Sequence, residues 1–118
     1  MQEPKSIFID TFGDYPALRI IDFLIESRMF DYPITEIAKN SDVHFLTFKK
    51  IWPEFIKKGF VKKTRRVGNS DLYRINEENL VIKKFIEVGN FLAKQAAREA
   101  VKRADEKKTR KVLASAKH

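Results

Sequence analysis

The segment 60–75 constrains the fold of this chain more than any other part, because it carries a clear β-hairpin pattern. Two runs of alternating residues flank Gly68 and Asn69, a pair typical of a tight turn between antiparallel strands. An isolated hairpin is only marginally stable in water, so it must pack against other elements. The remaining apolar residues recur with a helical period. We therefore predict a mainly α fold with one small β-hairpin, an α+β class.

Helical periodicity and turn-forming residues predict four helices around the hairpin. The first covers about 15–28, and a short second helix begins at Thr35 and ends in the turn cluster at 40–42. A third helix covers about 44–58 and ends at Gly59, immediately before the hairpin.

The last predicted helix is longer than the core of so small a chain requires. Asn76 can cap it, and its apolar arc continues to about residue 104, a length of about 43 Å. Residues 105–118 are basic and poor in apolar residues, so we expect a flexible tail there. We thus divide the chain into a compact domain at 1–76, a long helix at 77–104 and this tail.

Composition excludes several classes of chemistry. The 118 residues include no cysteine, so we expect no disulfide, no thiolate zinc site and no thiol nucleophile. The histidines, His44 and His118, have no metal-site spacing, and the four glycines are scattered rather than clustered in a phosphate loop. We predict no enzyme activity, no metal and no cofactor. No apolar run reaches the roughly 18 residues of a membrane span, and the first residues lack a signal-peptide core, so we expect a cytoplasmic protein without a membrane partner.

The positive charge is concentrated in two parts of the sequence. The net charge of +8 divides into −4 for residues 1–38, +7 for 39–74, zero for 75–97 and +5 for 98–118. A surface that served only solubility would mix the signs along the chain. The segregation indicates a surface that faces a polyanion, centred on the third predicted helix and the hairpin.

The third predicted helix has two different faces. At 100° per residue, aromatic and aliphatic residues gather on one face, and the opposite face carries Leu46, Lys49, Lys50, Pro53 and Lys57. A helix fits the major groove of B-DNA, where its outward side chains meet base edges and phosphates. Lysines on this face can reach guanine acceptors or phosphates, and the leucine can contact a thymine methyl group.

The stretch 35–52, TEIAKNSDVHFLTFKKIW, resembles the winged helix-turn-helix DNA-binding family, in particular its compact archaeal members related to the MarR, ArsR and PadR regulators. Ala38 matches the small residue at which the two helices touch, and the family's buried positions are matched by Ile37, Val43, Phe48 and Ile51. The likeness extends over about 13–93. Asp42 stands where glycine is usual and Ser41 where an apolar residue is common, but aspartate tolerates a left-handed turn.

This resemblance implies that 1–76 is a DNA-binding domain, with the third helix in the major groove and the hairpin as a wing in or near the minor groove. The candidate contacts on the helix are His44, Phe45, Leu46, Thr47, Lys49, Lys50 and Lys57. The candidates on the wing are Lys62, Lys63, Arg65, Arg66, Asn69, Ser70 and Arg74. A narrow minor groove attracts arginine, so Arg65 or Arg66 is the candidate for insertion.

Some of these residues have alternative structural roles. Phe45 and Leu46 can instead pack against the first helix or a partner subunit. His44 can serve only to cap its helix. A charged hairpin can also exist only to prevent edge-to-edge aggregation.

The long final helix carries an apolar arc that outlasts its own domain and must be buried somewhere. We expect a second copy to cover it across a two-fold axis, through Phe85, Val88, Leu92 and Ala96. The C-terminal helix of the related regulators often dimerises, so the resemblance implies the same for 77–104. The alternative is that part of this arc only covers the first helix.

We predict a homodimeric, sequence-specific double-stranded DNA-binding protein that regulates transcription in the nucleoid and reads an inverted repeat. Two other functions stay open. Archaeal plasmids encode similar winged-helix adaptors that bind centromere DNA, spread along it and contact a partition protein. A winged helix can also be a protein-interaction module, with the acidic part at 1–38 as its docking face. The predicted partners are DNA, a second copy and a partition or transcription protein.

Overall fold

The computed structural model describes residues 6–116, which form five helices and one three-stranded sheet. In chain order the elements are α1 (Ile7–Phe12), α2 (Pro16–Glu26), β1 (Tyr32–Pro33), α3 (Ile34–Asn40), α4 (Phe45–Lys57), β2 (Val61–Val67), β3 (Ser70–Ile75) and α5 (Leu80–Ala116). The predicted mainly α class with a small β element is confirmed. The helices expected at 15–28 and 44–58 begin and end within two residues of their predicted limits.

The hairpin forms where the alternating pattern predicted it, and a third strand joins it. β2 and β3 are antiparallel, with Val61 opposite Ile75 and Val67 opposite Ser70. Gly68 at the turn has a φ of 59°, which glycine adopts without strain. β1 pairs with the other edge of β3, so the strand order is β1-β3-β2. The wing is thereby tied to the segment between α2 and α3.

The core joins α2, α3, α4, the hairpin and the beginning of α5. Its most completely enclosed side chains are Ile20, Leu24, Ile37, Phe48, Ile75 and Ile82. Aromatic rings follow one another along the inner face of α4: the centroids of Phe48 and Trp52 are 4.9 Å apart, and Trp52 meets Tyr73 of β3 edge-on at 5.4 Å. This packing fixes the rotation of α4 about its axis, so its opposite face points into solvent.

The turn between α3 and α4 is held by a side chain of α2. Asp42 in this turn has a φ of 55°, which is the left-handed conformation expected at this position of the turn. The Arg19 guanidinium donates hydrogen bonds to the carbonyl oxygens of Ser41 at 3.2 Å and of Asp42 at 3.0 Å. It also pairs with the Asp14 carboxylate at 2.9 Å. One arginine therefore ties the turn between α3 and α4 to α2.

The beginning of α5 differs from the predicted one, because Asn79 and not Asn76 is its cap. The Asn79 Oδ1 atom accepts hydrogen bonds from the backbone N–H groups of Val81 at 2.9 Å and Ile82 at 3.2 Å. Asn76 instead donates its side-chain amide to the Gly59 carbonyl at 2.9 Å, which closes the base of the hairpin. Each asparagine donates its side-chain amide to a carbonyl just after α4, Asn76 to Gly59 and Asn79 to Lys58, so the local preference of asparagine for caps and turns does not decide which of the two caps α5.

The end of α5 also differs, because the helix continues through Ala116 where we expected a flexible tail. The distal part is rich in alanine, lysine, arginine and glutamate, which are strong helix formers, so helix propensity continues after the apolar arc ends. Every side chain from 97 to 115 is exposed. The two final residues lie outside the described range, and α5 gives the molecule a longest extent of 72 Å.

The apolar segment before α2, which the sequence pattern left unassigned, forms α1. Its cap is Ser6, whose Oγ accepts a hydrogen bond from the Ile9 backbone N–H at 3.2 Å. Phe8 and Ile9 are buried, and the ring of Phe8 meets Phe85 of α5 edge-on at 5.5 Å. α1 therefore docks on the proximal part of α5.

Candidate nucleic-acid interface

The outer face of α4 carries the polar surface that the sequence predicted. The exposed residues are Leu46, Lys49, Lys50, Pro53 and Lys57, and Leu46 retains 66% of its accessible area. His44 is the N-cap residue and is exposed, but its side chain makes no capping hydrogen bond. The alternative role of His44 as a cap is therefore absent from this structure, and its imidazole is accessible at the beginning of α4.

Phe45 and Thr47 lie at the edge of this face and are half-buried. The Phe45 ring stacks on Phe48 with centroids 6.1 Å apart and planes 10° apart. The Lys49 ammonium lies 5.7 Å above the Phe45 ring, a cation–π contact. Phe45 thus belongs in part to the aromatic series of its own helix, rather than packing against the first predicted helix, and it positions a lysine on the outer face.

The wing exposes most of its predicted contacts. Those in solvent are Lys62, Lys63, Arg65, Arg66, Asn69 and Ser70. Lys63 is nevertheless paired with Asp71 on the neighbouring strand, with Nζ and Oδ1 3.2 Å apart. The side chains of Lys62 and Arg66 make no hydrogen bond or ion pair with any residue in the range 6–116.

Arg74 is the predicted wing residue that the structure places elsewhere. It is half-buried, and its guanidinium donates to the Arg28 carbonyl at 3.0 Å and to the Glu77 carboxylate at 3.3 Å. Arg28 pairs with the same carboxylate at 3.5 Å. Arg74 therefore connects β3 to the end of α2 and the segment before α5, and it is not grouped with the exposed cations.

The sequence analysis missed one residue at the base of the wing, Asp31. Its carboxylate accepts two hydrogen bonds from Arg65, Nε to Oδ2 at 3.0 Å and Nη2 to Oδ1 at 3.2 Å, and a third from the Thr64 hydroxyl. The hydrogen bond from Arg65, followed by that from Thr64, holds the pKa of Asp31 below its ordinary value. The same contact raises the pKa of Arg65. A separation of 34 residues gives no local signal for this pair.

α4 and β2 follow each other in the chain and contact each other, so their exposed cations form one surface. Lys49, Lys50 and Lys57 lie on the outer face of α4, and Lys62 and Arg66 lie on the wing. Lysine and arginine at such positions can bind phosphates or base edges. Within residues 6–116, no cluster of three or more His, Asp or Glu side chains could hold a metal ion. No helix in that range is long and apolar enough to cross a membrane.

The predicted dimer residues form only part of an exposed apolar surface. Phe85 is half-buried beneath Phe8 of the same chain, whereas Val88 retains 40% of its accessible area. Leu92 and Ala96 are half-buried. A groove of about 270 Å³ between α1 and α5 is lined by Phe12, Val81, Lys84, Phe85 and Val88. α1 therefore covers part of the arc, which the sequence analysis did not anticipate.

No protein-family model matches the sequence, and a search of curated proteins found no relative. Solved structures do match. NadR, in complex with 4-hydroxyphenylacetate, has a TM-score of 0.58 at 16% identity, covering 92% of this chain and 77% of its own. ZitR from Lactococcus lactis, a variant in the apo form, has a TM-score of 0.55 at 12% identity, with coverages of 91% and 85%.

The antimony-specific transcriptional repressor AntR has a TM-score of 0.52 at 20% identity, covering 69% of this chain and 68% of its own. At such identities the likeness is one of fold. It agrees with the geometry above, in which α3 and α4 form the paired helices and the hairpin of β2 and β3 follows them. The chain has a winged helix-turn-helix fold.

Proposed function

We propose that this protein binds double-stranded DNA sequence-specifically as a homodimer and thereby regulates transcription. The observation that carries the proposal is the single exposed basic surface formed by the outer face of α4 and the wing. The packing of Phe48 and Trp52 into the core holds that face outward and rigid, which base recognition requires. The fold similarity to the repressor AntR supports the same function.

In this proposal α4 enters the major groove and its side chains have distinct roles. Lys50 and Leu46 lie on the exposed stripe and contact base edges, where lysine reads guanine and leucine meets thymine methyl groups. Lys49 and Lys57 neutralise phosphates on either side. His44 lies near the groove rim at the beginning of α4, and the Thr47 hydroxyl donates to a phosphate.

The homodimer is proposed from the apolar surface of α5 and α1. Val88, Phe91 and Phe12 are exposed in a single chain, with accessible fractions from 40% to 61%. A second copy would bury them, and the two α4 helices would then read half-sites about 34 Å apart. We expect Val88→Lys to convert the dimer into a monomer in sedimentation equilibrium. Val112→Lys, at a valine of distal α5 that is 66% exposed, should leave the dimer intact.

The proposal is tested by selecting binding sites from a pool of random-sequence DNA duplexes. The full chain should enrich an inverted repeat, and fluorescence anisotropy should then give much tighter binding to that duplex than to a scrambled one at the same salt concentration. Absence of binding to any duplex, even at low salt, contradicts the proposal.

The extent of the protected DNA separates a regulator from a partition adaptor. A regulator protects one inverted repeat, and its footprint stays constant as the protein concentration rises. A footprint that grows beyond one repeat as the protein concentration rises would favour a partition adaptor that spreads along DNA over a regulator. Stable binding of a protein partner without any DNA affinity would favour a protein-interaction module over both.

A further inference from the structure

The base of the wing is fastened to the body of the domain by one carboxylate. Asp31 precedes β1 and accepts both N–H groups of the Arg65 fork, at 3.0 Å and 3.2 Å. Such paired hydrogen bonds to a carboxylate fix orientation as well as distance. The Asp31 side chain is only 18% exposed, whereas that of Arg65 is 63% exposed. The arginine therefore lies over the carboxylate and shields its charge from the surface.

A β-bulge in β2 accompanies this contact. Lys63 lies opposite Tyr73 and the next paired residue, Arg65, lies opposite Leu72, so Thr64 is the extra residue of the bulged strand. The Thr64 hydroxyl donates to the Asp31 carboxylate, so the bulge itself is attached to the body of the domain.

Arg65 and Arg66 are consecutive residues of a strand and lie on opposite faces of the sheet, and the bulge before them determines which face each one takes. Cross-strand partners share a face, so Arg65 lies on the face of Leu72. Arg66 lies opposite Asp71, on the face that also carries Tyr73, and Tyr73 packs against Trp52 of α4. Arg66 is exposed on the α4 side of the wing, and its guanidinium makes no hydrogen bond or ion pair within residues 6–116.

We propose that Asp31 is a positioning residue that engages Arg65 and thereby assigns Arg66 to the DNA minor groove. This inference rests on the proposed DNA binding. Arg65 contributes no net charge to the DNA surface because its partner is bound beside it. Arg66 keeps its full charge on the side of the wing that α4 also faces. The sequence could not decide between Arg65 and Arg66 for insertion into the minor groove, and only Arg66 has a side chain without a partner among residues 6–116.

The salt dependence of binding tests this inference, because each cation that contacts a phosphate adds about one to the slope of log K against log salt. The probe is the selected duplex, or an AT-rich duplex, whose minor groove is narrow, if selection enriches no site. Arg66→Gln should flatten the slope by about one. The double variant Asp31→Asn/Arg65→Gln removes both charges of the pair at once and should leave the slope unchanged.

The single variant Asp31→Asn should change the salt slope in the opposite direction to Arg66→Gln. It releases Arg65 to seek a phosphate, so the slope should steepen by about one and binding to a scrambled duplex should tighten by up to tenfold. Addition of Arg65→Gln to this variant should abolish the gain. Equal slope changes for Arg66→Gln and for the double variant would overturn the inference, as would an unchanged slope for Asp31→Asn.

A measurement without DNA distinguishes failure of this inference from failure of the proposed function. In the NMR spectrum of the free protein, the Arg65 Nε–H proton should exchange slowly with water, and Asp31→Asn should make it fast, as it is for Arg66. If the wild-type chain binds no duplex, the proposed function and this inference both fail, while NMR still decides the pair. If the wild-type chain binds DNA but the variants do not show the expected changes in salt slope, only this inference fails. Unchanged melting temperatures confirm that the variants are folded.

Discussion

The surface formed by α4 and the wing can be compared with distal α5, residues 98–116, because both regions are strongly basic. Ten basic and three acidic residues lie in 39–74, and seven basic and three acidic residues lie in 98–116. In the first region an aromatic core fixes the backbone and determines which cations point outward. In the second region every side chain through residue 115 is exposed, so no packing contact there holds one face of the helix toward solvent and another toward a core.

This difference shows that positive charge alone does not define a reading surface. Recognition of base edges requires side chains held at fixed positions, whereas attraction to phosphates requires only charge. We therefore expect specificity to reside in α4 and the wing. Distal α5 can add only sequence-independent affinity. Four pairs of matched substitutions test the comparison, with one member of each pair in the compact domain and the other in distal α5.

The largest effect is expected from removal of the aromatic support of α4. Phe48 is completely buried, so Phe48→Ala should reduce the free energy of unfolding by about 3–5 kcal/mol. Val112→Ala in distal α5 should change it by less than about 0.5 kcal/mol, because Val112 is 66% exposed. Urea denaturation followed by circular dichroism measures both. A comparable loss from the two variants would mean that distal α5 is packed in solution.

The second pair compares arginines. Arg19→Ala removes the hydrogen bonds to the carbonyls of Ser41 and Asp42 and should cost about 2 kcal/mol of stability. Arg103→Ala removes only a 3.3 Å bond to the carbonyl of Glu99 in its own helix and should cost a few tenths of a kcal/mol. Thermal denaturation measures the difference. Similar melting temperatures for the two variants would show that Arg19 does not hold the turn.

The third pair tests function directly. Lys50→Ala should reduce discrimination between the selected and the scrambled duplex by about tenfold, because a base contact is lost. Lys107→Ala should weaken binding to both duplexes equally, since distal α5 can contact only phosphates. Anisotropy titrations at two salt concentrations separate these results. Loss of discrimination in Lys107→Ala would place base recognition on distal α5 instead.

The smallest effect concerns pH. Burial raises the pKa of Asp22 above its ordinary value of 3.8, the Ser6 hydroxyl opposes this, and the charge of Glu26 adds to it. The folded state therefore prefers the protonated carboxyl, and stability from this group is lost as the pH rises through the raised pKa. Asp22→Asn should increase the melting temperature at pH 7 by about 2 °C, with the gain vanishing near pH 3. Asp105→Asn, an exposed counterpart, should change it at neither pH.

The compact part of the fold could be predicted because its signals are local. Gly68 and Asn69 specify a turn, and the apolar period of α4 separates the Trp52 face from the Lys50 face. The remaining features depend on tertiary contacts. The Asp31–Arg65 pair joins distant segments, and Asn76 donates its side-chain amide to Gly59 instead of capping α5. Six of the seven candidate contacts of the wing are exposed, but Arg74 is half-buried, because only the fold brings it to Arg28 and Glu77.

The structure also provides the protein with an internal fluorescent reporter. Trp52 is the only tryptophan of the chain, and its indole is buried between Phe48 and Tyr73, directly behind the outer face of α4. Its emission should lie at short wavelength while α4 is docked and shift to the red when α4 separates from the hairpin. Excitation of the neighbouring Tyr73 should reach it by energy transfer over 5.4 Å. The seating of α4 can thus be followed in unlabelled protein, in real time and at low concentration.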